Sequence, residues 1–469
     1  MPDERFEDHL RHPRGLGGVA EGAHCAVAGG AVCGDLVRIA VSVRGDRLTE
    51  VTFAASGCGA ASAAASAVVE LTEGQTVIDA ARIGTHDVAA ELGGLSAGKL
   101  HAAELAADAL ARALGGAAAA NAELVETPGR VLVAMSGGVD SAVAAQLIAQ
   151  GSVEPPIAVT LELWRDEEND AEGSCCSASA VQRARSLAHG LGLAHFTLDL
   201  REAFRAGVVE PWIAGHAAGT TPNPCVRCNG AVRLDAMLEL AARLGAAELA
   251  TGHYARVSDD GLLRAAADPA KDQSYMLAAL SPSSVARMRF PLGEMTKPQV
   301  RELAAAADLP VAETPDSQDL CFLAGTASDA FLSKHGGIGD RPGMIIDSAG
   351  EQLGSHLGAH GFTVGQRRGL EIGGVDEPLY VMATDTQANT VTVGTRSELH
   401  RDEVELTDVK LYREAETVDQ ARLRSHAPAL ECSLSGAVLK LKKSAWAPAP
   451  GQTAVLLSGD RVVGCATIA

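Results

Sequence analysis

From Arg130 onward, short apolar runs alternate with segments of helical period. The order is a strand (VLVAM, 131–135), a glycine-rich turn, a helix (AVAAQLIA, 142–149), a strand (IAVTLELW, 157–164), a helix over 181–191 with apolar residues at 181, 184, 187, 188 and 191, a strand (HFTLDL, 195–200), a helix over 232–244 and a strand (ELATG, 248–252). Such alternation predicts a doubly wound α/β domain with a parallel sheet over 130–330. Beyond about 330 the helical period disappears, and GMIIDSAGEQLG, LYVMATDTQANTVTVG and TAVLLSGDRVVGCATI have the pattern of hairpins closed on Gly or Asn turns. They predict a central β-rich domain over 331–398 and a C-terminal β-barrel over 399–469. Ahead of the α/β pattern, 36–55 alternates as two strands about a Gly-Asp turn, with helical stretches near 60–71 and 99–113, which predicts a small α+β domain over 1–114. The small-residue and polar run GGAAAANAELVETPG, 115–129, reads as a linker.

A length of 469 residues agrees with several domains rather than one core. Apolar residues make up 47% of the chain but aromatics only 3%, so its cores must be filled by Ala, Val and Leu. No stretch approaches the roughly 18 apolar residues of a membrane span, and the charged start MPDERFEDHLRHPRG has no secretory apolar segment. A cytoplasmic protein with no membrane partner is expected. Ten cysteines are too sparse for a disulfide scaffold, and their clustering points to metal or sulfur chemistry. The formal charge of −20 argues against a basic surface overall, so any polyanionic partner would have to be met by local basic segments at 366–368, 422–424 and 439–443.

Candidate chemistry begins between the first strand and its helix, at Ser136-Gly137-Gly138-Val139-Asp140-Ser141. A glycine turn leading into a helix presents backbone N–H groups and the positive end of a dipole, which together cradle phosphate. The loop lacks the Lys of a Walker A motif and so suits holding pyrophosphate better than transferring a γ-phosphoryl group. Asp140 is the natural Mg²⁺ ligand. The segment resembles the PP-loop of the ATP pyrophosphatase superfamily, whose members adenylate a substrate and release pyrophosphate.

Cys225 and Cys228, in Thr221-Pro222-Asn223-Pro224-Cys225-Val226-Arg227-Cys228-Asn229, stand three apart just ahead of the 232–244 helix, where the helix dipole favours thiolate. Cys321 lies in the polar loop 316–322, DSQDLCF. A structural zinc site would need four ligands, and no second pair follows. Cys175 and Cys176 read as incidental loop residues, and Cys432 and Cys465 as core.

SGGVDS, TPNPCVRCN, ATGHY, KDQSYML, DSQDLCF, GFTVGQRRGL and APGQTAVL occur in the order found in tRNA-specific 2-thiouridylases, and residues 130–469 resemble that family. The resemblance implies adenylation of the 2-oxygen of the tRNA wobble uridine by ATP, then replacement of that oxygen by sulfur with release of AMP and pyrophosphate. Position by position it implies ATP contacts at Ala134, Met135, Ser136, Gly137, Gly138, Val139, Asp140, Ser141, Leu161 and Gly252. Asn223, Pro224 and Cys225 match the target-base segment, and Lys271, Asp272, Gln273, Arg422 and Leu423 match tRNA contacts. In the family's persulfide scheme Cys321 carries the transferable sulfur and Cys228 completes catalysis, leaving a disulfide between them. Alternatively Cys225, Cys228 and Cys321 hold a 4Fe-4S cluster with one open iron for hydrosulfide. Two other readings stay open: a thiolase of another tRNA base, and an iron-sulfur assembly or carrier protein whose ATP domain is regulatory.

Residues 1–114 resemble the NifU/IscU-like scaffold domain of iron-sulfur assembly proteins, through His12-Pro13-Arg14, Cys33-Gly34-Asp35, Gly57-Cys58-Gly59 and Lys99-Leu100-His101. This implies Cys33, Asp35, Cys58 and His101 as ligands of an Fe-S cluster or Zn²⁺, and a cysteine desulfurase or other sulfur donor as partner. The family's third cysteine falls at Ala102. Either Cys25 replaces it or the domain is kept as a docking platform.

Overall fold

The computed structural model describes residues 4–30, 34–166, 177–315, 320–374 and 377–469. Two units emerge, one made of residues 1–201, 235–253 and 287–317, the other of 202–234, 254–286 and 318–469.

In the first unit, strands Leu36–Arg44 and Arg47–Ser56 form the expected hairpin, turning on Gly45 at φ +66°. Val37, Ile39 and Val41 alternate onto the buried face, which the helices Gly59–Thr72 and Leu100–Asn121 cover. Two elements carry too weak a pattern to be read from sequence. The helix Glu4–Arg11 buries only Phe6 and His9, and the strand His24–Gly29, paired with Leu36–Arg44, buries only Ala28. The second covering helix continues to Asn121 rather than ending near 113, so the irregular connection starts at Ala122 and not at Gly115. Gly115 is a packing position: a Cβ there would come within 1.9 Å of the Thr197 carbonyl oxygen, so only glycine lets the helix lie this close to the strand Ala194–Asp199. The small residues of 115–121 signal close approach, not flexibility.

The same unit holds a five-stranded, all-parallel sheet in the order Met288–Arg289, Glu248–Ala250, Val131–Ala134, Ile157–Glu162, Ala194–Asp199. Nearly every residue of the three strands from Val131 to Asp199 is buried, as expected of a sheet covered on both faces. The chain runs from the first strand outward to one edge and returns on its other side with Glu248–Ala250. The strand order therefore reverses beside Val131–Ala134, and ligands bind at the carboxyl ends of strands flanking such a switch point.

In the second unit, strands Gly343–Ile346, Gln352–His356, Tyr380–Asp385 and Thr390–Gly394 form a small mixed sheet around Ile345, Val381, Val391 and Val393. Strands His400–Leu411, Val438–Trp446, Leu430–Ser435, Gln420–Arg422, Thr453–Ser458 and Arg461–Ile468 pair in that order, and the last pairs back to the first, closing a six-stranded barrel. Cys432 and Cys465 are buried in it, as their apolar settings suggest.

Candidate active site

The glycine turn follows the strand Val131–Ala134. Gly137 takes φ +76°, and a Cβ on it would stand 2.6 Å from the Ala180 carbonyl oxygen. Gly138 caps the helix Val139–Gly151. The Ser141 hydroxyl accepts from the Ser136 amide at 3.1 Å and donates to the Gly138 carbonyl at 3.0 Å, which locks the turn. Across the switch point, Gly252 lies against this helix start: a Cβ there would meet the Asp140 carbonyl carbon and the Ser141 nitrogen at 2.8 Å. The backbone of 251–253 thus forms the second wall of the crevice, and glycine is what lets it approach. Met135, Val139 and Leu161, three of the positions matched to nucleotide contacts, are 3%, 4% and 7% exposed, so their side chains are largely closed off.

Asp140, in the first helical turn, is not alone. The Lys297 ammonium donates to both of its carboxylate oxygens at 2.8 Å. Lys297 is 8% exposed and opens the helix Lys297–Ala306, whose start is fixed by a capping box between Thr296 and Gln299. The cation that the loop lacks comes from 157 residues further along. Sequence reasoning missed it because a Thr-Lys-Pro helix start is common and nothing local points to the carboxylate it meets.

In the second unit, Cys225 and Cys228 lie ahead of the helix Leu234–Arg243, as expected, and are themselves inside a helical turn, Pro224–Cys228, that leads into it through 229–233. Asn223 is its cap, its side-chain oxygen accepting from the amides of Cys225 at 3.0 Å and Val226 at 3.2 Å. Asn223, Pro224 and Cys225 line a cavity of about 360 Å³, together with Trp212, His216 and Leu320, the neighbour of Cys321. That volume lies within the usual range of small-molecule sites. Cys225 and Cys321 are half-buried, while Cys228, the last residue of the turn, is buried. Phe322 anchors the Cys321 segment by edge-on packing with Trp212, Phe204 and Phe331 at centroid distances of 5.3, 6.0 and 5.1 Å. Residues 316–319 of the cysteine loop lie outside the described residues, as do Cys175 and Cys176. Burial pushes the Tyr275 phenol up to about 12; its hydroxyl donates to the Thr453 carbonyl at 2.7 Å and meets Asn223.

The positions matched to tRNA contacts divide by environment. Arg422 donates to Asp272 at 2.7 Å, and Asp272 also accepts from the amides of Ala266 and Ser274 at 3.1 Å. The Gln273 side chain accepts from the Tyr254 amide at 2.9 Å, and Leu423 sits in the barrel core. Asp272 and Arg422 tie a loop to a barrel strand, and Gln273 holds the same loop to Tyr254. Separately, Arg396 and Arg424 stack over Trp446 at 5.4 and 5.2 Å, and Arg367 and Arg368 are exposed on a loop whose Gly365 abuts Arg424 and Trp446.

In the N-terminal domain Asp35, Cys58 and His101 converge, with ligand atoms within 4.8 Å of one another. Asp35 accepts from the Cys58 thiol at 3.1 Å and from its amide at 2.7 Å, and its Oδ2 is 2.9 Å from His101 Nε2. These bonds, the Cys58 thiol first, hold the Asp35 carboxyl below its usual range. His101 Nδ1 faces the Gly98 carbonyl at 3.0 Å, the orienting contact that leaves Nε2 for an ion. Sulfur, nitrogen and oxygen donors at this spacing fit Zn²⁺ or iron. Cys33 lies outside the described residues. Among the described residues Cys25 is not part of the grouping, and Ala102 is fully buried in the helix core. A second grouping, His9, Glu70 and Glu91, is already occupied by cations: Arg14 Nε stands 2.9 Å from Glu70.

Three family profiles match the chain: "NifU-like N terminal domain" over 3–122, "tRNA methyl transferase HUP domain" over 129–325 and "tRNA methyl transferase PRC-barrel domain" over 329–395. The "tRNA-specific 2-thiouridylase MnmA" proteins of Corynebacterium glutamicum and Frankia alni are 40% and 43% identical to it, over 70% of this chain and 96% and 95% of theirs. The "Bifunctional protein NifU/MnmA" of Rubrobacter xylanophilus is 41% identical over 100% of this chain and 99% of its own length. With the same two modules in the same order from end to end, the chain belongs to the family of bifunctional NifU/MnmA proteins.

Proposed function

We propose that the chain is a tRNA 2-thiouridine synthase acting on the wobble uridine. The observation that carries this reading is the cavity that gathers Asn223, Pro224, Cys225 and the neighbour of Cys321. Its Trp212 and His216 walls suit a base splayed out of its stack. At the switch-point crevice the turn 136–141 holds the phosphates of ATP, and Asp140 holds Mg²⁺, which neutralises the leaving pyrophosphate. The uridine 2-oxygen attacks the α-phosphorus, pyrophosphate departs, and the 2-oxygen is now part of an AMP leaving group.

The terminal sulfur of a persulfide on Cys321 then attacks the ring carbon and AMP leaves. The Cys228 thiolate attacks the Cys321 sulfur, so the ring keeps its sulfur and a Cys228–Cys321 disulfide remains, to be reduced by an external thiol. The half-buried position of Cys225 on the cavity favours a second arrangement as well, with Cys225, Cys228 and Cys321 holding a 4Fe-4S cluster. Bound there, the cluster would supply hydrosulfide at its open iron. The phrase "methyl transferase" in two matched profiles names another reaction, but a pyrophosphate-type loop and a C-x-x-C pair beside a third cysteine serve adenylation and sulfur transfer. A sulfur donor such as a cysteine desulfurase loads the thiols. For so acidic a chain, the Arg396–Trp446–Arg424 stack with Arg367 and Arg368 offers a local surface for RNA. No helix among the described residues is long and apolar enough to cross a membrane.

Pyrophosphate release in the presence of tRNA tests the assignment. Asp140→Ala should abolish it and Cys228→Ser should retain it; undiminished release by Asp140→Ala contradicts the reading.

A further inference from the structure

The helix Leu100–Asn121 of the N-terminal domain carries Asp108 and Arg112 one turn apart, joined at 2.8 Å. Both reach out of their own domain. Arg112 donates to Glu162 and Arg185 donates to Asp108, forming a four-charge network with side chains only 18%, 18%, 10% and 4% exposed for Asp108, Arg112, Glu162 and Arg185. Around it the contact is close-packed. Gly115 lies on the Thr197 carbonyl, and the Ala81 carbonyl accepts from the His195 amide at 2.8 Å, which covers the edge strand of the parallel sheet.

Each end of the network reaches an element that carries or supports a position matched to the nucleotide site. Glu162 is the last residue of the strand Ile157–Glu162 and follows Leu161. Arg185 follows Ala184 on the helix Ala178–Gly190, and it is on Ala180 and Ala184 of this helix that Gly137 rests, with no room for a Cβ. Relatives matching only 70% of this chain over 96% of their own length are enzymes without the N-terminal domain, so they have no counterpart of Asp108 and Arg112.

We propose that Asp108 and Arg112 are positioning residues for the nucleotide site, Arg112 acting through Glu162 on the Leu161 wall and Asp108 through Arg185 on the seat of Gly137, so that ATP binding depends on the docked N-terminal domain. The proposal rests on the reading of 136–141 as the nucleotide site. Sites coupled through packed, two-sided contacts of this kind typically change each other's affinity by about 5- to 150-fold.

The test uses the full chain. Equilibrium dialysis with labelled ATP, without tRNA, gives Kd for the wild type, Arg112→Ala, Arg112→Lys and Asp108→Asn; tRNA-dependent pyrophosphate release gives KM for ATP and kcat. Arg112→Ala should raise Kd and KM about tenfold while kcat stays within about twofold, and Arg112→Lys should recover most of the loss. General damage would lower kcat instead and would not be rescued by Lys. If Arg112→Ala does not fold, Arg112→Lys and Asp108→Asn carry the test, each with a smaller rise in KM at unchanged kcat. Wild-type Kd and KM in all folded variants overturn the inference. Absence of ATP binding by the wild type overturns the nucleotide-site reading itself, and is told apart because no variant is then needed.

Discussion

Asp140 and Lys297 illustrate what a single pair of residues adds to a loop. Removing an ammonium from water is costly unless a carboxylate compensates, and Asp140 provides one to the 8% exposed Lys297 at 2.8 Å. Under the proposed function, a Mg²⁺-bound triphosphate in the crevice would give the carboxylate a divalent partner and leave the ammonium to the phosphate oxygens, where developing charge on pyrophosphate needs it. Lys297→Met should therefore lower kcat for tRNA-dependent pyrophosphate release by about 100-fold or more, the usual loss when one preorganised charge donor is removed. A kcat within twofold of wild type would show that Lys297 only balances Asp140. The loop 136–141 is legible in the sequence because all its chemistry is local; Lys297 is not, since its meaning is a distance across 157 residues. The converse holds at Arg422, Asp272 and Leu423, where matching motifs mark positions whose side chains bond or pack within the protein.

Among elements, the join between the loop 266–274 and the barrel strand Gln420–Arg422 depends on one buried pair. Burial alone would raise the Asp272 carboxyl, but the hydrogen bond from Arg422 and the amides of Ala266 and Ser274 outweigh it and hold the carboxyl below its usual range. A depressed carboxyl contributes stability that is complete above the unfolded value, near about 4, and is lost as pH falls through the lower folded value. Arg422→Met should cost about 3–5 kcal/mol at neutral pH, and its deficit in Tm against wild type should shrink once the pH is taken below about 4. A deficit constant from pH 7 to pH 3 would contradict this account. At this scale, strands and hairpins with strong alternation are legible, down to the barrel turns. The weakly patterned strand His24–Gly29 is not, because its place is fixed by pairing with Leu36–Arg44 rather than by its own apolar residues. Gly115 and Gly116 mislead for a related reason: sequence shows small residues, and only the packed strand beside them says why they are small.

For the whole molecule, the fused N-terminal domain is held to the parallel sheet by a buried charge network and by edge-strand contacts, so it is a docked part of the first unit and not a tethered arm. Under the proposed function, its Asp35–Cys58–His101 grouping and the cysteines of the second unit would give one chain the groups for handling sulfur or metal and for using it. The overall charge of −20 would then leave RNA contact to local arginines such as the two stacked on Trp446. The most direct test is mass spectrometry of nucleosides from tRNA lacking 2-thiouridine, after incubation with the full chain, ATP, Mg²⁺, a cysteine desulfurase with cysteine as the donor of persulfide sulfur, and a thiol reductant. The expected result is 2-thiouridine with the wild type and none with Cys228→Ser, although the latter still cleaves ATP. Equal 2-thiouridine from Cys228→Ser, or cleavage of ATP by the wild type with no sulfur in the tRNA, would contradict the account.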